Sequence, residues 1–388
     1  MHPLTPLNRR AFLTLAALSA LSRYLPALAA EAARDLIVVS NAGGGGSASL
    51  IDPHTLRVLK TIPLEPFAFP ATRWHFARDL IWSGLPAEPS RAVRAYWLSS
   101  GAQALEVPTG SSQNYTELTP DGRFVIVAAR FVDRFLKILA DPEAPDFGRV
   151  VAAFTTDAGA QPCDITVTPD GNHAFAPDRG RETISVLRLE PFERVARLPL
   201  RPLGGTERVE PFMATVSPRG DLLFVENATE NSEAILDVRD PERPVEVARL
   251  LQTDGLGDGP LTSEFTPDGR FGLVICRNSD ELSVVDTATL AVAARVRFPE
   301  RSRPLTGTFT PAGDRFFVPL PGRDAVAVVR VPAFEVEELI PVGPRPMGVV
   351  YLRTPLPARA ALDLRHGAAL AAGRRFPPDC PDRCCGML

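Results

Sequence analysis

The stretch Asp164-Ile165-Thr166-Val167-Thr168-Pro169-Asp170-Gly171-Asn172-His173-Ala174-Phe175-Ala176 decides the fold, because its middle returns along the chain. Thr119-Pro120-Asp121-Gly122, Thr168-Pro169-Asp170-Gly171, Ser217-Pro218-Arg219-Gly220, Thr266-Pro267-Asp268-Gly269 and Thr310-Pro311-Ala312-Gly313 are variants of one turn. Their prolines step by 49, 49, 49 and 44 residues. Each residue type has a physical task. Proline presets φ, aspartate bonds the backbone two residues on, and glycine takes the positive-φ position. A fixed period of this size means that one supersecondary unit is copied in a stack or around an axis.

Outward from the turn, the unit reads as four short strands. Pro162–Val167 precedes the turn and His173–Ala176 follows it. The polar loop Asp178-Arg179-Gly180-Arg181-Glu182 leads to Thr183–Leu187, and Glu193–Leu200 ends the unit. Residues 260–300 and 304–342 repeat this plan. Four strands per unit at this period predict the blade of a β-propeller. The first segment, from Asp35, supplies only the last three strands of a blade, and Pro346–Leu352 reads as a first strand with no blade after it. Joining them closes the ring and leaves few edges. The expected fold is all-β: a seven-bladed β-propeller of four-stranded blades, closed by strands from both termini. The blades fall near 35–65 (completed by 345–353), 66–110, 111–157, 158–204, 205–254, 255–300 and 301–343.

These repeats resemble those of the YVTN-repeat β-propellers. The resemblance is carried by Ile37-Val38-Val39-Ser40-Asn41, Ala48-Ser49-Leu50-Ile51-Asp52-Pro53-His54-Thr55 and Lys60-Thr61-Ile62-Pro63-Leu64. It is carried again by Glu281-Leu282-Ser283-Val284-Val285-Asp286-Thr287 and Ile340-Pro341-Val342-Gly343-Pro344-Arg345-Pro346. It spans roughly residues 35–353 and implies the architecture far more strongly than an activity. More distantly, it extends to lactonase-type propellers and to the haem d1-binding propeller of nitrite reductases.

Residues 1–29 read as an export signal, 30–353 as the propeller and 354–388 as a tail. Asn8-Arg9-Arg10-Ala11-Phe12-Leu13 resembles the twin-arginine motif; an apolar run follows, and Ala27-Leu28-Ala29 is a small-x-small cleavage site. An ordinary general-secretion signal is the other reading. Either way the expected location is a bacterial periplasm. A net charge of −4 over 388 residues argues against nucleic acid or an anionic membrane as partner. No later apolar run reaches transmembrane length.

In a propeller of this wiring, two loop sets meet on one face around the central channel: outer strand to next inner strand, and second strand to third. The first set offers Arg73, His75, Arg208, Glu210, Arg303 and Arg345; the second offers Arg130, Asp178, Arg179, Glu226, Arg277, Asp280 and Arg323. Arginine recurs around an otherwise acidic protein, and fixed guanidinium donors suit carboxylates or phosphates. The alternative is that these arginines pair with neighbouring acids.

His75 is the one histidine placed to meet a ligand, which argues against a multi-histidine metal centre. The chain has no Cys-x-x-Cys-His, so covalent c-type haem is excluded; Gly-x-Ser-x-Gly, P-loop and Rossmann fingerprints are missing as well. In the tail, Cys380, Cys384 and Cys385 fall within six residues. One disulfide, a soft-metal site for an ion such as Cu(I), and a thiol that pairs with a partner protein all remain open. Cys163 and Cys276 lie within blades and read as buried apolar residues.

No nucleophile–base or acid–base spacing stands out along the chain. The expected function is therefore a binding or accessory module for an anionic small molecule, a cofactor or a periplasmic protein partner. A lactonase-like hydrolase using Glu210, Asp178 and Asp280 to hold a metal or activate water is the second reading. A soft-metal or redox accessory using the tail cysteines is the third.

Overall fold

The recurring turn is built by one hydrogen-bond pattern. In the computed structural model, the Thr168 hydroxyl donates to Asp170 and accepts the His173 amide at 3.0 Å. Thr119 with Asp121 and Thr266 with Asp268 repeat it. Where the turn reads Ser-Pro-Arg-Gly or Thr-Pro-Ala-Gly, the acid moves two positions on: Ser217 donates to Asp221 and Thr310 to Asp314, each at 2.6 Å. The glycines Gly122, Gly171, Gly220, Gly269 and Gly313 all have φ near +70°, which a Cβ would strain. The turn thus survives the loss of its aspartate.

The structure describes residues 34–354, apart from residues 45, 63–79, 85–90, 98–101 and 204. Seven antiparallel sheets follow one another around the ring. Five are sequential meanders: Asn114–Leu118 to Val150–Thr155, Thr166–Val167 to Phe192–Pro199, Pro211–Val216 to Val245–Leu250, Pro260–Phe265 to Ala291–Arg297, and Thr308–Phe309 to Glu335–Pro341. The second blade contributes three described strands, Leu80–Ser83, Ala92–Trp97 and Gln103–Pro108.

The first blade closes the ring. Pro346–Thr354 lies as its inner strand against Arg34–Asn41, with Leu36 opposite Leu352 and Val38 opposite Val350. The two ends of the described chain are therefore paired in one sheet, as the sequence implied.

Position in the blade sets the burial pattern. Second strands are covered on both faces; Phe271–Cys276 is buried throughout. Outer strands alternate, as in Ala291–Arg297. A register shift recurs between third and outer strands, as at Val186/Leu187, Ile235/Leu236, Val284/Val285 and Val328/Val329. Such bulges increase the local twist. Apolar clusters fill the seams between blades; Phe175 and Ile184 of the fourth blade, for example, pack with Val225 and Leu236 of the fifth.

The inner strands are also stitched by side chains. Glu117 accepts the Val167 amide at 2.9 Å and Asp164 accepts the Ala214 amide at 3.0 Å. Thr215 and Thr262 donate to the Ser263 and Leu305 carbonyls, each at 2.9 Å, and Thr308 accepts the Tyr351 amide at 3.3 Å. These bonds run from the third blade round to the first and order the wall of the channel.

Candidate functional site: the channel face

The two loop sets meet on one face as the wiring requires. Backbone amides of the second-to-third loops donate to carbonyls of the loops that enter the same blade: Gly180 to Ala160, Ala228 to Glu210, Arg277 to Gly259, Gly322 to Ser302 and Ala42 to Arg345, at 2.8–3.0 Å.

A second contact ties each blade to the next. Thirteen residues after the turn prolines stand Asp133, Glu182, Asn231, Asp280 and Asp324. All five have φ between 50° and 58°, a region that costs a non-glycine residue free energy. Their side chains accept backbone amides of the following entry loop. Asp133 takes Gly159 and Gln161, both at 2.7 Å; Glu182 takes Val209 and Glu210, both at 2.7 Å. Asn231 takes Gly259 at 2.8 Å, Asp280 takes Arg301 and Arg303 at 2.6 and 2.7 Å, and Asp324 takes Arg345 at 2.8 Å. Bonds to the backbone, charge-assisted at the four carboxylates, offset the local strain. The latch fixes the loop that leads into each inner strand, and Gln161, Glu210, Arg303 and Arg345 are themselves held at positive φ.

The candidate residues divide by what they touch. Arg179 donates to Glu210 at 3.1 Å and stacks over Phe212, 5.5 Å from the ring centroid. Arg208 lies 2.7 Å from Glu210 and 2.8 Å from Glu182. Glu210 also accepts the Thr229 hydroxyl at 2.6 Å. Despite partial burial, which opposes it, these donors hold Glu210 below its ordinary value. The fourth-to-fifth sector of the face is thus a neutralised network.

Two further guanidinium groups donate to neutral acceptors. Arg130 is buried and donates to the amide oxygen of Gln113 at 2.8 Å. Arg323 donates to the Glu300 carbonyl. Asp280 is committed to the Arg301 and Arg303 amides. The side chains of Arg303 and Arg345 carry no ion pair among the described residues. Arg277 anchors its loop through its backbone amide, 2.8 Å from the Gly259 carbonyl. Arg73, His75, Cys380, Cys384 and Cys385 lie outside the described residues.

Asp178 is 1% exposed and accepts the hydroxyls of Thr183 at 3.1 Å and Ser185 at 2.6 Å. Burial outweighs those bonds and raises its carboxyl to about 6. Beside it, Cys163 is buried and its thiol is pushed up to about 12 by desolvation, against the opposing fields of Arg130 and Arg179. Cys276 is pushed up to about 12 for the same reason. Both thiols stay protonated and behave as apolar core. Among the described residues no group of three or more His, Cys, Asp or Glu side chains could hold a metal ion. Glu210, Asp178 and Asp280 are thus not assembled into a three-carboxylate centre.

Sequence reasoning offered Glu226 as a residue of the second-to-third loop set and passed over Glu233. Glu226 and Glu233 face each other across the second and third strands of the fifth blade, and both are 0% exposed. The repeat period itself was the signal, since it aligns them with Ile275 and Leu282 of the next blade.

Fold and repeat together define the class: an all-β seven-bladed propeller similar to lactonase-type propellers. Residues 101–292 match the family described as "Lactonase, 7-bladed beta-propeller". A comparison with the curated proteins gives no match. Among solved structures, the periplasmic gluconolactonase of Pseudomonas aeruginosa superposes with a TM-score of 0.63 at 18% identity, covering 82% of this chain and 99% of that one. A protein from Lactobacillus plantarum gives 0.66 at 13% identity, covering 83% and 100%. The dihydro-heme d1 dehydrogenase NirN, solved in complex with DHE, gives 0.56 at 16% identity, covering 81% and 74%. At these identities the likeness is one of fold, and it includes both kinds of propeller that the repeats resembled.

Proposed function

We propose that this propeller binds an anionic small molecule at its channel face. The observation that supports this reading is the commitment of the arginines. Glu210 and Glu182 consume Arg179 and Arg208, whereas the guanidinium groups of Arg303 and Arg345 meet no carboxylate among the described residues. Their backbones are clamped by Asp280 and Asp324, so two arginines stand at fixed backbone positions in the loops that lead into neighbouring inner strands. Guanidinium forks carried on such positions match carboxylate or phosphate oxygens.

Lactone hydrolysis is the second reading, favoured by the family match over residues 101–292 and by the gluconolactonase among the similar structures. A sugar-acid lactone bearing a phosphate, or its open carboxylate product, meets both readings. The leader with Arg9 and Arg10 supports export to the periplasm, and soft-metal binding by the tail cysteines remains a further proposal.

Calorimetric titration of the mature protein with 6-phosphogluconate, and a pH-stat assay with D-glucono-1,5-lactone and its 6-phosphate, test the proposal. Binding that weakens at least tenfold in Arg303→Ala/Arg345→Ala, with no lactone turnover, supports the binding module. Turnover supports the hydrolase. No binding of 6-phosphogluconate, or binding indifferent to the double variant, overturns the assignment of these arginines.

A further inference from the structure

Every blade pairs its second and third strands, and the last pair but one before the channel-face loop can be compared around the ring. It is Ser40 with Ala48, Ala128 with Phe135, Pro177 with Ile184, Ile275 with Leu282, and Pro319 with Val326. In the fifth blade it is Glu226 with Glu233. Two fully buried carboxyl groups therefore occupy a place that other blades fill with small or apolar side chains. Strand alternation puts them on the face that carries Phe224 and Ile235, which is turned to the sixth blade. Phe224 packs there on Phe265, with ring centroids 4.6 Å apart.

The charged and titratable groups around Glu233 do not neutralise it. From the outer strand, Arg249 acts on it, but its guanidinium is turned to Glu230 and to both Glu246 oxygens, the latter at 2.8 and 2.9 Å. From the loop before the third strand, Glu230 adds a further carboxylate, 1% exposed at its side chain. From the sixth blade, the Cys276 thiol faces the pair and feels the fields of Glu281 and Glu233. No hydrogen bond of ordinary length and angle ends on either carboxyl oxygen of Glu233 among the described residues. Burial first, and the Glu226 carboxylate second, push Glu233 well above the ordinary carboxylate range; the Val225 amide and Arg249 pull the other way.

We propose that Glu226 and Glu233 hold one proton between them at neutral pH, with Glu233 as the carboxylic acid. This is a proton-binding site in the seam between the fifth and sixth blades. Two ionised carboxylates that face each other at full burial are both desolvated and repel, so one of them keeps its proton. Loss of the proton at alkaline pH places a second negative charge in an apolar seam and loosens the contact between these two blades. The site is not a requirement of the fold, because the sixth blade makes the same strand pair with Ile275 and Leu282. Buried charges of this kind are generally neutral or unfavourable for stability relative to apolar residues of similar volume.

Infrared spectroscopy of the full chain at pH 8 tests the site directly. At that pH Asp178 is ionised, so it adds no carboxylic acid signal. The expected result is a carbonyl band from a protonated carboxylic acid that is lost in Glu233→Gln and kept in Asp178→Asn. The variant Glu233→Leu, which installs the residue the sixth blade carries at this place, should raise the urea midpoint and flatten the alkaline limb of the stability profile. If Glu233→Gln does not fold, loss of the wild-type band on raising the pH, together with Glu233→Leu, decides the matter. Absence of the band at pH 8, its survival in Glu233→Gln, or a lower midpoint for Glu233→Leu overturns the proposal. Recovery of a bound metal ion together with absence of the band assigns the place to that ion instead.

Discussion

Replacing Asp178 by asparagine should stabilise the propeller, and only where the aspartate is ionised. The position ends the second strand of the fourth blade. The same position in the first and fifth blades is asparagine: Asn41 donates to Ser49 at 2.9 Å and Asn227 to Ser232 at 3.0 Å. Asp178 makes the equivalent contacts to Thr183 and Ser185, but it is a titratable group buried to 1% exposure. Its folded value is about 6 against 3.8 in the unfolded chain. The sign follows from linkage. The folded state binds the proton more tightly, so the contribution is fully present below 3.8 and is lost as pH rises through 6. At about 1.4 kcal/mol per unit, the ionised carboxyl costs the folded state about 3 kcal/mol above pH 6. Asp178→Asn removes that cost. Urea unfolding from pH 4 to pH 8 should show a gain that is small at pH 4 and grows to about 3 kcal/mol by pH 8. An equal gain at both ends, or a variant less stable than wild type at pH 8, would refute the assignment of a buried, raised carboxyl.

The latch and the loop contacts can be tested in the same way. Glu182→Ala orphans two backbone amides, now 2.7 Å from the carboxylate, and should cost about 2–3 kcal/mol. Asn231→Ala orphans one amide, bound at 2.8 Å, and should cost about 1 kcal/mol; hydrogen exchange of residues 205–211 should accelerate in the first variant and not in the second. Gly322→Ala places a Cβ 1.8 Å from the Arg301 carbonyl, a clash with backbone that side-chain motion cannot relieve. It should cost about 3 kcal/mol or more by thermal melting, whereas Gly159→Ala, with open space around it, should cost only its φ strain of about 1 kcal/mol.

Much of this architecture was legible because its determinants are local and repeated. A Thr-Pro-Asp-Gly turn needs only its own five or six residues to form, so its period survives as a sequence signal. Closure by both ends was legible because the first blade lacks an inner strand and the last segment is a strand without a blade. The inner strands were overestimated in places. Pro162–Val167 was expected as a strand, but regular pairing is confined to Thr166–Val167 plus the bridge of Pro162 to Asp178. There the cross-blade bonds of Asp164 and Thr166 take over part of the ordering.

The site was less legible. An acid in a loop looks the same in sequence whether it awaits a ligand or holds a backbone amide. Asp280 and Asp324 are distinguished from Asp178 only by their constant offset from the turn proline and their left-handed φ. Glu233 was missed for the opposite reason. Its neighbours Ala234-Ile235-Leu236 read as an ordinary buried strand, and only alignment on the 49-residue step shows a charge at an apolar position.

The central claim is that the chain is a closed ring whose two ends share one blade. A Cβ built on Gly348 lies 3.9 Å from the Ser40 Cβ, within the range a disulfide requires. The variant Ser40→Cys/Gly348→Cys, made with Cys380, Cys384 and Cys385 replaced by serine, should oxidise to an intramolecular disulfide in the folded monomer. It should then run faster on a non-reducing gel and melt at a higher temperature than its reduced form. Two thiols that stay reduced under oxidant, or that cross-link only between molecules, would contradict the closed ring.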